Sequence, residues 1–154
     1  MVNKELVTVD DDFLSLTLDD SFLAKNGIAF EGEKIEGSDV ELDIFVEACN
    51  FLLKNKPEIE KVIISKAAKY YSDRVLTKKE RYESVFKISL KELSDPTDIQ
   101  YMISLTKIYV DVEDTCAQSL GFVFHCDWDS EHGFGAKLSS LNECEVGGAD
   151  IAFT

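Results

Sequence analysis

The sequence predicts an α+β fold in which a mostly antiparallel sheet carries a central pair of helices packed on one face. Three features lead there: short runs of alternating apolar residues near the start, a helical spacing of apolar residues in the middle, and renewed alternation towards the end. A chain of 154 residues has the usual length of one domain, and no internal repeat, low-complexity tract or Pro/Gly/Ser linker divides it. Residues 1 to 154 are therefore expected to form a single domain.

Leu6 to Val9 and Phe13 to Leu18 carry alternating or β-branched apolar residues on either side of Asp10, Asp11 and Asp12. This predicts an antiparallel hairpin closed by an acidic turn, with Leu14, Leu16 and Leu18 on one side. The stretch from Glu31 to Gly37 is polar and contains glycine. After it Val40, Leu42 and Ile44 alternate with Glu41 and Asp43, the pattern of a third, half-buried strand. From Val46 the spacing turns helical, with Ala48, Cys49, Leu52 and Leu53 on one face up to a break at Asn55-Lys56-Pro57. Pro57 suits the first turn of a second helix, where its missing N–H costs nothing, and Glu58 and Glu60 favour the positive end of the dipole. In that helix Ile59, Val62, Ile63, Ala67, Tyr70 and Tyr71 keep amphipathic spacing, with Lys66 the exception. Aromatics on such a stripe read as core or core-edge residues more readily than as a recognition surface.

Ser94 to Asp98 marks a short helix, with Asp95 as cap, Pro96 in the first position and Asp98 facing free N–H groups. Alternation then runs from about Leu105 to Val112, and again through Leu120, Phe122, Phe124, Cys126 and Trp128, predicting two strands. A glycine-rich turn at Glu131 to Gly135 leads into a strand from Phe134 to Leu141. Glu143 to Phe153 reads as a last strand, broken by Gly147-Gly148.

A hydrophobic content of 45 % with 10 Phe and 5 Tyr excludes a disordered acidic tail, because that much apolar surface offsets the entropy of ordering. The start, MVNKELVTVDDD, lacks the basic and apolar regions of a signal peptide, and no uncharged apolar run approaches the roughly 20 residues that span a bilayer. A cytoplasmic protein without a membrane partner is expected. Cys49, Cys116, Cys126 and Cys144 then read as reduced thiols rather than disulfides. The net charge of −14 divides into −10 over residues 1 to 47, +5 over 48 to 93 and −9 over 94 to 154. Two acidic regions flank a basic middle, and direct nucleic-acid binding, which needs a basic face, is disfavoured. The plain account of such charge is a solvated surface with some internal pairing.

The segment Asp127 to Gly135, DWDSEHGFG, gathers three carboxylates, a histidine and the only tryptophan. Asp129, Glu131 and His132 are candidates for a metal site or, as a Glu–His pair, for acid–base work. Asp127, Asp129 and Glu131 have the i, i+2, i+4 spacing of hard-cation loops, but the remaining positions do not continue a calcium-loop pattern. The structural alternative has these side chains bonding backbone groups in a tight connection, with Gly133 and Gly135 supplying unusual backbone angles and Trp128 packing on the core. Zinc at His125, Cys126, Cys116, Cys144 and His132 is disfavoured, because adjacent strand residues point to opposite faces and no CxxC pair is present. GxSxG, GxGxxG and GxxxxGK[ST] are all absent, so no catalytic residue, cofactor or metal ligand is assigned.

The C-terminal third, GFVFHCDWDSEHGFGAKLSSLNECEVGGADIAF, resembles a group of uncharacterised small bacterial proteins that carry a Trp-Asp-x-Glu-His-Gly motif and a Val-Gly-x-x-Asp-like ending. The matching residues are Trp128, Asp129, Glu131, His132 and Gly133, then Val146, Gly147 and Asp150; the helix with Tyr70-Tyr71 is similar in kind. Members of such families often look like immunity proteins, which protect a bacterium from a secreted toxin. The resemblance implies a non-enzymatic binding protein whose partner is a protein, a basic toxin domain, and it carries over no catalytic residue. An acidic body suits that role, since it can cover the basic cleft of a nuclease-type toxin and steer the encounter electrostatically. The candidate surface is then Asp10, Asp11, Asp12, Asp19 and Asp20, or the acids of the Trp128 turn. A small metal-dependent or acid–base enzyme using Asp129, Glu131 and His132, and a regulatory or structural interaction module, are the alternatives.

Overall fold

In a computed structural model, which describes residues 1–23, 25–33, 39–112 and 119–154, the alternating segments assemble into one seven-stranded sheet. Its strands lie side by side in chain order: β1 (Thr8–Val9), β2 (Phe13–Phe22), β3 (Lys25–Glu33), β4 (Ile103–Val110), β5 (Leu120–Cys126), β6 (Phe134–Ser140) and β7 (Glu143–Gly147). All neighbours run antiparallel except β3 and β4, which pair in parallel through Phe30 and Glu31 against Ile108 and Tyr109. Parallel strands need a long crossover. It is supplied here by α1 (Asp39–Lys54), α2 (Lys56–Tyr70), α3 (Lys79–Phe86) and a 3₁₀ turn over Pro96–Tyr101. The fold is thus α+β with a mostly antiparallel sheet, as the sequence predicts.

The acidic hairpin forms with a shorter first strand than expected, because Lys4–Leu6 make a 3₁₀ turn. Asp10 closes it, its carboxylate accepting from the N–H groups of Asp12 at 2.9 Å and Phe13 at 2.7 Å. The predicted cap at Asp95 is present, accepting from the Thr97 N–H at 2.8 Å.

Two expectations are corrected, and one strand, β3, has no counterpart in the sequence reading. Val40, Leu42 and Ile44 belong not to a strand but to the first turns of α1. Five alternating residues fit either period, and the longer run decides: Phe45, Ala48, Cys49 and Leu52 are all buried at helical spacing. Strand β3 gives no clear alternating signal because its third inward position is Gly32, where a Cβ would lie 3.1 Å from the Phe45 ring and 3.0 Å from the Val110 carbonyl oxygen. Only Ile28 and Phe30 show as apolar residues on that side. The final strand stops at Gly147, after which Ala149–Phe153 form a 3₁₀ turn. That turn lies so close over β5 that a Cβ on Gly121 would collide with the Ala152 carbonyl. The residues 34–37 of the polar stretch, and Cys116, lie outside the described residues.

One face of the sheet supplies the core. Leu16, Phe30, Ile108, Phe122, Phe124 and Phe134 are buried on successive strands, in one cluster with Phe45, Leu52, Ile59 and Ile63 of α1 and α2. Among the described residues no helix is long and apolar enough to cross a membrane.

Candidate functional site

The chain leaves β5 at Cys126 and immediately turns. The Asp127 N–H donates to the Met102 carbonyl at 3.0 Å, and Trp128 turns inward, 1 % exposed. Its ring meets Tyr71 at 5.4 Å and the edge of Phe134 at 5.6 Å, distances typical of favourable aromatic pairs. Asp129 is buried and organises the turn. One carboxylate oxygen accepts from the N–H groups of Glu131 at 3.1 Å and His132 at 2.9 Å, while the other lies 2.9 Å from His132 Nδ1. A carboxylate accepts, so Nδ1 carries the proton and Nε2 is left facing away from Asp129. Gly133 then takes φ +65°, and a Cβ there would sit 2.8 Å from the Phe124 carbonyl oxygen. The Ala149 N–H donates to the His132 carbonyl at 3.0 Å, tying the C-terminal turn to this one.

Trp128, Asp129 and Gly133 therefore build the turn, as the structural alternative anticipates, while Glu131 and His132 are exposed. Gly135 is corrected: it takes no left-handed angle but pairs with Val123 inside β6, where a Cβ would lie 2.7 Å from the Gly148 carbonyl oxygen. The turn forms one wall of a pocket of about 490 Å³. The opposite wall is α3 with the residue before it, contributing Lys78, Arg81, Tyr82 and Phe86, and Tyr70 at the end of α2 also lines it. Residues 71–75 wind as a π turn, after which the chain enters α3. Tyr71 is buried and its hydroxyl donates to the Lys91 carbonyl at 2.7 Å. Burial raises the phenols of Tyr70 and Tyr82, and the Asp129 carboxylate adds to the effect on both. Sequence reasoning missed this second wall; the signals were Tyr82 and Phe86 at i, i+4 and the basic run around Lys78, Lys79 and Arg81.

The predicted acidic surface is not one patch. Asp10, Asp11 and Asp12 sit at the start of β2, while Asp19 and Asp20 lie towards its other end. The Trp128 turn shares that second end, but β3 and β4 intervene. Asp11, Asp12 and Asp19 are exposed with no salt-bridge partner among the described residues. Asp20 pairs with Lys56 at 2.8 Å, and that ammonium, with the Ser21 N–H, holds its carboxyl below the usual carboxylate range.

Among the described residues no group of three His, Cys, Asp or Glu side chains is arranged to hold a metal ion. Asp127 is exposed and does not line the pocket with Asp129 and Glu131. On β5 the alternation places His125 outward and Cys126 inward. Cys49, Cys126 and Cys144 are buried free thiols; burial pushes the first two up to about 12 and the third to about 11, which keeps them protonated and unreactive at neutral pH.

The family model described as a domain of unknown function, DUF6985, matches residues 10–153. No curated protein and no solved structure matches the chain.

Proposed function

We propose, for a chain that belongs to the DUF6985 family, that it is a cytoplasmic binding protein rather than an enzyme, an immunity protein that neutralises a basic toxin domain through its acidic surface. The observation that carries this proposal is the use made of Asp129. A metal-dependent enzyme at this turn needs that carboxylate, and it already accepts from two backbone N–H groups and the His132 ring. The motif it shares with the proteins it resembles is then a folding device, and recognition falls to exposed groups. In this arrangement α1 and α2 are the central pair that covers one face of the sheet, and the exposed acids Asp11, Asp12 and Asp19 act outward from β2 and its turn. A net charge of −14 gives a field that extends about one Debye length, ~8 Å at physiological salt, and accelerates encounter with a basic partner.

The test is binding to the product of a neighbouring reading frame that encodes a secreted toxin. Replacing Asp11, Asp12 and Asp19 by Asn is expected to slow association by about tenfold and to flatten its dependence on salt. An interaction indifferent to salt, or full protection by the triple variant, refutes the proposal.

One observation favours a second reading, acid–base chemistry: His132 Nδ1 is oriented by Asp129, and both residues line the pocket. Full protection of cells by His132→Ala supports binding; loss of protection with toxin affinity intact supports chemistry.

A further inference from the structure

The π-helical turn at Tyr71–Val75 is a conformation that proteins use rarely and frequently beside functional sites. It comes directly after Tyr70 and leads the chain into α3, so that Tyr70, Tyr82 and Phe86 line the same pocket as the Trp128 turn. The charges of that pocket are sorted by wall. Lys78 and Arg81 stand on the α3 side, Glu131 and Asp150 on the sheet side, and all four are exposed. Four lysines form salt bridges elsewhere: Lys4 with Asp43, Lys56 with Asp20, Lys69 with Asp73, Lys107 with Glu31. Among the described residues no salt bridge crosses this pocket. Asp129 does not fill the gap, because its carboxylate is engaged by the turn and by His132.

Two cations and two carboxylates that line one concave space without pairing match a ligand carrying both charges. A simple anion held by Arg81 would face Glu131 and Asp150, and a simple cation held by those acids would face Lys78 and Arg81. We propose that this pocket binds a small zwitterion of the amino-acid or short-peptide class. Its carboxylate is held by the guanidinium fork of Arg81 with Lys78 beside it, its ammonium by Glu131 and Asp150, and its apolar part lies against Tyr82 and Phe86. A volume of about 490 Å³ falls within the range of small-molecule sites. The inference does not rest on toxin binding, and the two fail separately.

Trp128 is the only tryptophan and lines the pocket, so its emission reports occupancy in the full-length chain. The probes are single L-amino acids of each side-chain class and di- and tripeptides, each beside its N-acetyl and C-amide form, read by Trp128 fluorescence and by calorimetry. At least one zwitterion is expected to bind saturably, with about a tenfold loss when either end is blocked. Binding by single amino acids identifies a free metabolite as the source, and binding by peptides alone identifies a chain fragment. Arg81→Gln is expected to abolish discrimination against the C-amide, and Glu131→Gln with Asp150→Asn to abolish discrimination against the N-acetyl form. All three positions are exposed, so the unfolding midpoint should be unchanged. No saturable binding anywhere in the panel, equal binding of blocked and free forms, or discrimination that survives all three substitutions overturns the proposal.

Discussion

Replacing Asp129 by Ala removes the acceptor for three contacts at once: Glu131 N–H at 3.1 Å, His132 N–H at 2.9 Å and His132 Nδ1 at 2.9 Å. A hydrogen bond to a charged group contributes about 1.5–3 kcal/mol net. The ring contact counts for little, since the His132 side chain is 72 % exposed and the pair is screened by solvent. Glu131 and His132 are exposed, so water recovers part of what their N–H groups lose. The remaining cost is about 2–4 kcal/mol, which for a chain of this length lowers the midpoint by about 5–15 °C. Asp129→Asn keeps an oxygen for the two backbone donors but a weaker, neutral one, and should cost about 1 kcal/mol. Urea and thermal unfolding followed by circular dichroism measure both. The reasoning fails if Asp129→Ala stays within about 0.5 kcal/mol of wild type, the range of an ordinary surface change. It fails equally if Asn is as damaging as Ala, for then charge rather than turn geometry is what the position requires.

Gly121→Ala drives a methyl group into the Ala152 carbonyl. An overpacking cost of about 1–3 kcal/mol is expected in urea unfolding, and an unchanged midpoint would mean that the C-terminal turn can lift off β5 freely. In a Cys116→Ser background no thiol should react with an aromatic disulfide reagent until the chain unfolds, because Cys49, Cys126 and Cys144 are buried with raised pKa values; prompt labelling at pH 8 contradicts this. The same three groups contribute stability that is present below their ordinary value of 9.0 and is lost as pH rises towards about 12, so unfolding midpoints should fall over that interval. Asp20 has the opposite sign. Its lowered pKa makes its contribution present above 3.8 and lost as pH falls through the depressed value, and Asp20→Asn should remove that part of the acid dependence in a pH series of melts.

The parts of the fold legible in the sequence are those where large side chains mark each inward position. Leu14 and Leu16 in β2, and Leu120, Phe122 and Phe124 in β5, alternate without interruption, and Ile59, Ile63 and Ala67 hold one face of α2. The pattern fails where tertiary packing fills a position from elsewhere. Gly32 carries no side chain because the Phe45 ring occupies the space, so β3 shows only Ile28 and Phe30 on its inward side and its alternation is too short to mark a strand. Strand and helix periods coincide over residues as few as 40 to 44, and only the burial of residues further along α1 separates them. Helix α3 has no fully buried residue, so it shows only the Tyr82 and Phe86 pair. The candidate site divides along the same line. Its sheet wall lies within one conspicuous segment, while its other wall comes from a helix that sequence periodicity barely marks.

The division of labour inside that segment locates function more narrowly than the motif does. Trp128 is held by Tyr71 and Phe134, Asp129 by the backbone it caps, and Gly133 by its left-handed conformation. Each of these would be required for folding whatever the protein binds. Glu131 and His132 carry no comparable structural duty: they are exposed, and only their backbone groups and the Nδ1 contact belong to the turn. Substituting them beyond those contacts therefore separates function from stability, which substituting Trp128, Asp129 or Gly133 cannot do. Asp11, Asp12 and Asp19 form the second set with that property, at the far side of β3 and β4. A partner that contacts one set need not contact the other. Combining changes from the two sets should give additive losses if one large partner spans both, and loss from a single set if the pocket and the acidic surface serve different ligands.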